Sequence, residues 1–371
     1  MILGTILIFI VILGLLIFVH ELGHFIMAKR AGMKVEEFGF GFPPRLFGFK
    51  WKDTLYSINW IPLGGFVKIL GEDGDNNEQG SFASKSAFRR FSVLVAGVAM
   101  NMIFAWVLIS IGFMIGLPTL IDEDQTFPAG AKVGESSVTV LFVEPETPAY
   151  KEGLRAGDII VALDGNQFSQ VNEVQDYSTI KAGQPIVYEI IRGDDTLEVT
   201  IIPRVNPPEG QGAIGIALGL AAKVSYPWYK SIYLGFGQTL SLTKQIFVAL
   251  GALVQSLFSD RALLGSLTGP VGIAVLTRDV AKLGFANLLQ FTAVLSVNLA
   301  IINILPLPAL DGGRVFFLIV EKLRRKKMRP IIEGYANTVG FFLLIALMAW
   351  VTVKDVGKFS EQFGNFFGRI F

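Results

Sequence analysis

The chain has 371 residues, of which 52% are hydrophobic and only 17% charged, against about 25% charged in an ordinary globular protein. Lys and Arg number 32 against 31 Asp and Glu, so no basic excess exists to neutralise phosphates, which argues against a nucleic-acid binder; a chain this apolar with a net charge of +1 is not disordered either. The absence of cysteine excludes a disulfide scaffold, a zinc–thiolate site, an iron–sulfur cluster and a cysteine nucleophile together.

Crossing about 30 Å of hydrocarbon takes roughly 20 helical residues. Residues 2–28, 91–117 and 335–353 meet that length, and 286–305 meets it with a few amides and hydroxyls. The first stretch has no charged segment before it and no small-residue cleavage site after it, and it runs on into His20 and Glu21. It therefore reads as a retained helix and not as a signal peptide.

Loop charge orients the spans. Residues 29–90 carry ten Lys and Arg and residues 311–332 carry seven, whereas 118–285 holds twelve basic against eighteen acidic residues. Four spans put both basic loops in the cytoplasm, and the termini and 118–285 outside it. Within 234–258 the strongly apolar part is only 13 residues, 246–258, which suits an interfacial helix better than a fifth span.

Residues 35–70 are strand-like and rich in aromatic residues, punctuated by Pro43, Pro44, Pro62, Gly64 and Gly65. They read as a surface sheet or as a hairpin sheet at membrane depth, shielded from lipid by the protein itself. The acidic stretch 73–77 has no calcium-loop spacing and reads as a solvated turn. From about 135 to 205 the pattern is β-rich, with β-branched runs at 138–143, 186–191 and 197–202, and a hairpin turn at Arg192-Gly193-Asp194-Asp195. Gly157-Asp158, the apolar strand after it and Asp164-Gly165 resemble the PDZ fold, although the usual Gly-Leu-Gly-Phe string is absent. That resemblance implies that peptide C-termini bind as an added strand.

The chemistry begins at His20-Glu21-Leu22-Gly23-His24. Residues four apart share a helix face, so both imidazoles can bind one cation, and Glu21 stands where it can serve as general base toward an activated water. These are the chain's 2 histidines. A catalytic zinc site takes three protein ligands and keeps one position open, so the third here has to be Asp or Glu. Asp311, at the inward end of the third span, arrives at a similar depth, although Asp-Gly-Gly is also an ordinary turn. Glu321 and Glu333 are the alternative carboxylates. Asn298 and Asn303 lie on the third span, either to hydrogen-bond an opened substrate or to pack helices together. The basic run 322–327 reads as a topology signal.

Taken together, His20-Glu21-x-x-His24, Asn303-x-x-Pro306-x-Pro308-x-Leu310-Asp311-Gly312 and a PDZ-like insert resemble the site-2 protease family of intramembrane zinc metalloproteases. The single PDZ-like module, Pro62-Leu63-Gly64-Gly65-Phe66-Val67 and Thr268-Gly269-Pro270-Val271-Gly272-Ile273 make the chain most similar to bacterial members acting in regulated intramembrane proteolysis. The resemblance implies Zn2+ held by His20, His24 and Asp311, with Glu21 as base. It also implies a re-entrant β element beside the site, whose Gly39 and Gly41 become candidate substrate contacts.

The fold expected is a polytopic α-helical membrane protein of about four transmembrane helices, with a membrane-associated β element and an inserted small β-rich PDZ-like domain. Its parts are a first membrane half over 1–117, the PDZ-like domain over 126–205, a linker with an interfacial helix over 206–285 and a second membrane half over 286–371. The expected substrates are transmembrane proteins, such as anti-sigma factors or remnant signal peptides. The expected location is the inner (cytoplasmic) membrane, with the PDZ-like domain and termini extracytoplasmic. The alternative is a membrane-anchored PDZ scaffold with a structural metal; the intact Glu21 argues against it, since a structural site needs no base.

Overall fold

The computed structural model describes residues 2–72, 78–121, 127–193, 195–208, 210–259, 268–326, 328 and 330–358. The acidic turn at 73–77, Asp194 of the hairpin turn and Lys327 of the basic run lie outside them. In chain order the elements are α1 (Ile2–Arg30), β1 (Val35–Trp51), β2 (Thr54–Ile69), α2 (Ala87–Ile115), β3 (Leu117–Leu120), β4 (Lys132–Val133), β5 (Ser137–Val143), α3 (Pro148–Lys151), β6 (Ile159–Leu163) and β7 (Asn166–Gln167). There follow α4 (Val171–Ile180), β8 (Ile186–Arg192), β9 (Asp195–Ile201), β10 (Ile216–Ser225), α5 (Trp228–Ser259), α6 (Pro270–Lys282), α7 (Phe285–Ile304), α8 (Asp311–Arg324) and α9 (Pro330–Lys358).

These form two compact units, the first comprising Met1–Leu108, Phe236–Arg278 and Thr292–Phe371, the second Ile109–Gly235 and Asp279–Phe291. Among the described residues, four helices are long and apolar enough to cross a membrane: Ile6–Arg30, Ala87–Ile115, Phe285–Ile304 and Ile331–Gly357. They fall on the four stretches expected from composition. Helix α5 is one unbroken helix of 32 residues, longer than its apolar segment suggested, with Gln238, Lys244 and Gln245 in its first half.

In the first unit, α1 and α2 approach closely because Gly23 lies against the Ala96 carbonyl, where a Cβ would stand 2.4 Å from the oxygen. Strands β1 and β2 bend back on themselves, so that two strands make four ladder rows. Residues 35–42 pair on one side with 55–58 and on the other with 61–69, and 45–51 pair with the outer side of 54–59. The row 61–69 is therefore an edge. Val35 and Ile69 close the base of this sheet against Ala28, Ala31, Met33 and Val93. Leu46, Phe47, Phe49 and Trp51 of the outer row, and Trp60, are exposed. Near the end of α9, the buried Asp355 accepts the Gly269 and Gly272 N–H groups at 2.9 and 2.8 Å, satisfying donors that the start of α6 leaves orphaned.

The second unit is a sheet of order β3-β10-β5-β6-β8-β9 packed on α3 and α4. The sheet runs past 126–205 on both sides. Strand β10, within the expected linker, pairs along β5, and β3 from before residue 126 pairs with β10. Alternation along β5 and β8 sends Val138, Val140, Ile186, Tyr188 and Ile190 into one core. Burial pushes the Tyr188 hydroxyl up to about 12, so it stays protonated and shares a 2.7 Å hydrogen bond with Ser178 Oγ. Asp158 is fully buried; it takes two 2.6 Å hydrogen bonds from the Arg192 guanidinium and one of 2.8 Å from the Arg155 N–H. Removing one partner of such a pair strands a buried charge at a cost of about 3–5 kcal/mol. Arg192→Ala is therefore expected to destabilise the second unit by about 3 kcal/mol, read as a lowered unfolding midpoint and faster limited proteolysis within 127–225. An unchanged midpoint would show that Asp158 is satisfied without the guanidinium.

Candidate metal centre

Helix α1 is apolar from Ile6 to Val19; at His20 its chemistry changes. His20 and His24 follow at one-turn spacing, both buried, with their rings 4.8 Å apart. Helix α7 ends at Ile304, and a tight Pro306–Pro308 turn leads straight into α8, whose first residue is Asp311. Gly312 and Gly313 make that turn possible. A Cβ on Gly312 would stand 2.2 Å from the Ile304 and Leu305 carbonyl oxygens, and one on Gly313 would stand 2.3 Å from the Leu307 oxygen. The Asp-Gly-Gly run is thus a close-packed corner that aims one carboxylate at the histidines.

Asp311 Oδ2 lies 2.9 Å from His20 Nε2 and 3.3 Å from His24 Nε2, and the two Nε2 atoms are 3.2 Å apart. Three donor atoms from sequence positions 291 residues apart thus meet at one point. Among the described residues this is the cluster of His, Asp and Glu able to hold a metal ion. His24 Nδ1 stands 2.8 Å from the Val93 carbonyl oxygen on α2, so Nδ1–H donates there and Nε2 keeps its lone pair for the cluster. Gly97, one helical turn further on, leaves room for both rings. A Cβ there would come within 2.3 Å of His24 Nε2 and 2.7 Å of His20 Nε2. Two imidazoles, one carboxylate and this vacant side-chain position suit a three-ligand metal with a fourth position open.

Glu21 lines two cavities that share Asp311. One, of about 780 Å³, runs past His24, Phe42, Gly65, Phe66 and Arg314. The other, of about 210 Å³, is bounded by Ile17, His20, Leu299 and Asn303. Gly65 sits on the edge row of the hairpin sheet, where a Cβ would be 3.1 Å from Glu21 Cγ, so that edge runs directly past the acid.

Of the other expected residues, Asn303 comes to the centre, with Nδ2 3.5 Å from His20 Nε2. Asn298 is half-buried on α7 and lines neither cavity. Gly39 and Gly41 are inner-row residues with structural reasons to be glycine. A Cβ on Gly39 would lie 2.5 Å from the Phe66 ring, and Gly41, at φ +81°, faces the Ile61 carbonyl. Glu321 is occupied by Arg90 and the Met328 N–H, so it does not compete with Asp311. Sequence reasoning missed Gly97, Asn101, Gly65 and Arg314. The available signal was a polar amide one turn after a glycine in an otherwise apolar span, Gly97-x-x-x-Asn101, because an amide inside a membrane helix needs a partner.

A His/His/Asp cluster with two buried histidines on a membrane-length helix, a carboxylate adjacent in sequence and a cavity at its side are the marks of a membrane metalloprotease. Residues 8–347 match the model of peptidase family M50, and the chain belongs to that family, the site-2 proteases: it is an intramembrane zinc metalloprotease. A Clostridium perfringens protein that bears the name zinc metalloprotease is 37% identical over 296 residues, covering 80% of this chain and 82% of that one. The regulator of sigma-W protease RasP of Bacillus subtilis is 31% identical over 278 residues, 75% of this chain and 61% of its own. The PDZ domain of an SdrC-like protein from Listeria monocytogenes is 33% identical, covers 24% of this chain and 92% of its own, and has a TM-score of 0.21.

The space at Gly97 makes a sharp prediction. Gly97→Ala is expected to push the two rings apart and to remove bound metal, measured by atomic absorption, while helix content by circular dichroism stays as in the wild type. Full metal content in the variant would mean that α1 and α2 can separate without cost.

Proposed function

We propose that His20, His24 and Asp311 hold the zinc and that Glu21 is the general base in cleavage of transmembrane segments. The observation that carries this reading is the meeting of the three donor atoms within 3.3 Å of one another in the first unit. The donor set is that of catalytic and not structural zinc sites: three ligands, no thiolate, and cavities lined by the same residues. Zinc in such a site polarises a carbonyl and lowers the pKa of water to about 7.

The chain's own residues do the rest. Glu21 takes the proton of the attacking water on its carboxylate and returns it to the leaving amine. Burial of the histidines and the apolar wall of α1 keep competing bulk water from the reacting amide. A helical substrate has its amides bonded internally, so it has to unwind before attack. The edge row of the sheet, with Gly65, Phe66 and Val67 lining the larger cavity, offers backbone groups to the unwound strand in place of those it loses. Asn303, beside His20 on the smaller cavity, is positioned to hydrogen-bond the opened substrate.

The remaining features follow from charge and resemblance. The basic loops orient the protein in the cytoplasmic membrane, with the PDZ-like domain and the termini outside. That domain, PDZ-like in sequence, receives peptide C-termini. The substrates are single-span proteins such as anti-sigma factors or remnant signal peptides, in keeping with the sigma-W regulator named among the relatives.

Two experiments test this. With a tagged single-span substrate in liposomes, Glu21→Gln is expected to lower cleavage by about 10²–10⁴-fold while keeping its zinc. Loss of zinc together with activity would move Glu21 into the ligand set, and unchanged cleavage would remove it from the mechanism. Val67→Pro, which deletes the edge-row N–H that lies on the Glu21 carboxylate and so affects both substrates through the base, is expected to reduce cleavage of a helical substrate at least tenfold more than cleavage of an unstructured peptide. Equal losses on both would sink the strand-pairing role.

A further inference from the structure

His20 has a different neighbour on each ring nitrogen. Around Nε2 are Asp311 Oδ2 at 2.9 Å, His24 Nε2 at 3.2 Å and Asn303 Nδ2 at 3.5 Å. At Nδ1 stands the side-chain amide of Asn101, with Nδ2 at 3.3 Å. Asn101 is fully buried on α2, one turn beyond Gly97, and its backbone carbonyl is held at 2.8 Å by Ser296 Oγ from α7. Its Oδ1 is one of three buried side-chain polar atoms among the described residues with no hydrogen-bond partner. A fully buried amide with one end on a ligand ring and the other end unsatisfied is not explained by helix packing.

A neutral imidazole carries one proton, on one nitrogen or the other. With the proton on Nε2, His20 donates to Asp311 and its Nδ1 accepts from Asn101 Nδ2. With Nε2 free to bind a metal, the proton sits on Nδ1 and needs an acceptor there. Asn101 Oδ1 is the atom within the same side chain that can supply it, after a half-turn of the amide about its last torsion. His24 solves the same problem differently, because its Nδ1–H meets the fixed Val93 carbonyl. One ligand is thus locked by backbone in the metal-binding tautomer, whereas the other depends on a side chain that can serve either tautomer.

We propose that Asn101 is a positioning residue for the metal, presenting Oδ1 to His20 Nδ1–H and so setting His20 Nε2 as a ligand. This rests on the reading of His20 as a zinc ligand. Outer partners of metal-bound histidines are typically worth about 10–100-fold in metal affinity. The amide also explains why α2 carries an asparagine in an apolar span, where an aliphatic residue would insert more favourably.

The test uses the full-length protein in detergent, with zinc affinity measured by chelator competition and 15N-histidine spectra recorded on the zinc-loaded form. The chain has only 2 histidines, so every ring-nitrogen signal belongs to the site. Asn101→Leu removes the acceptor at similar volume; Asn101→Asp keeps an acceptor and discards the donor. The expected result is zinc affinity about tenfold or more weaker in Asn101→Leu, with one ring losing its uniform Nδ1–H signal, and affinity within about threefold of wild type in Asn101→Asp. Where Asn101→Leu fails to fold, as judged by circular dichroism, Asn101→Ala carries the same expectation. Equal weakening in the Leu and Asp variants would reduce Asn101 to a packing role and overturn the proposal, as would wild-type affinity and spectra in Asn101→Leu. His20→Ala separates the two readings: wild-type zinc affinity in that variant would remove His20 from the metal site and the proposal with it. Lost affinity in His20→Ala beside an unaffected Asn101→Leu would overturn the proposal alone.

Discussion

A carboxylate and two imidazoles must share a point inside helices that are otherwise hydrocarbon, and the first unit is built around that requirement. Each of these groups, placed alone in an apolar span, costs several kcal/mol, so none is tolerable without the others. The 2.9 and 3.3 Å contacts of Asp311 to the two rings need α1, α2 and the α7–α8 corner to come closer than ordinary side chains allow. Glycine makes this possible at each approach. Gly23 lets α1 meet the Ala96 carbonyl, Gly97 clears the rings, and Gly312 and Gly313 fold the corner under its own carbonyls. Between membrane helices the attraction comes from close packing and interhelical hydrogen bonds, so the same glycines that admit the chemistry also hold the helices together.

The hairpin sheet meets the same constraint in another form. Its base is sealed by Val35 and Ile69 against the ends of α1 and α2, while its outer aromatic residues are exposed. Folding two long strands into four rows satisfies most of the backbone internally and leaves 45–51 and 61–69 as the outer rows, the second of them beside Glu21. An open edge is a liability in a soluble protein. In the proposed reading, the 61–69 edge beside the site compensates an unwound substrate for its lost hydrogen bonds.

Much of this was legible in the sequence, for identifiable reasons. The four membrane-length helices announce themselves by run length alone, and His20, Glu21 and His24 by helical spacing. Asp311 was reached by elimination and depth, and the resemblance to the site-2 proteases then singled it out. The margins of the β module were not legible: β3 and β10 pair across more than 90 residues of chain, and neither run differs locally from a linker. Gly39 and Gly41 became candidate substrate contacts through the resemblance; the fold places them where strands approach closely and sets Gly65 against the acid. Glycine tells the reader that something comes near, but not what.

The residues around the ligands were the least legible, because their roles depend on direction and not on type. Val93 contributes only a carbonyl, which any residue could supply, and its value lies in where α2 places it. Asn101 is recognisable as polar in an apolar helix, but only the fold shows that its amide ends on His20 Nδ1 and that its oxygen is left without a partner. The two histidines are therefore chemically alike in sequence and unlike in structure. One is fixed by backbone, and the other is held by a side chain able to donate or accept. With both histidines as the proposed zinc ligands, each keeping its proton on Nδ1, that difference places the adjustable half of the site at His20.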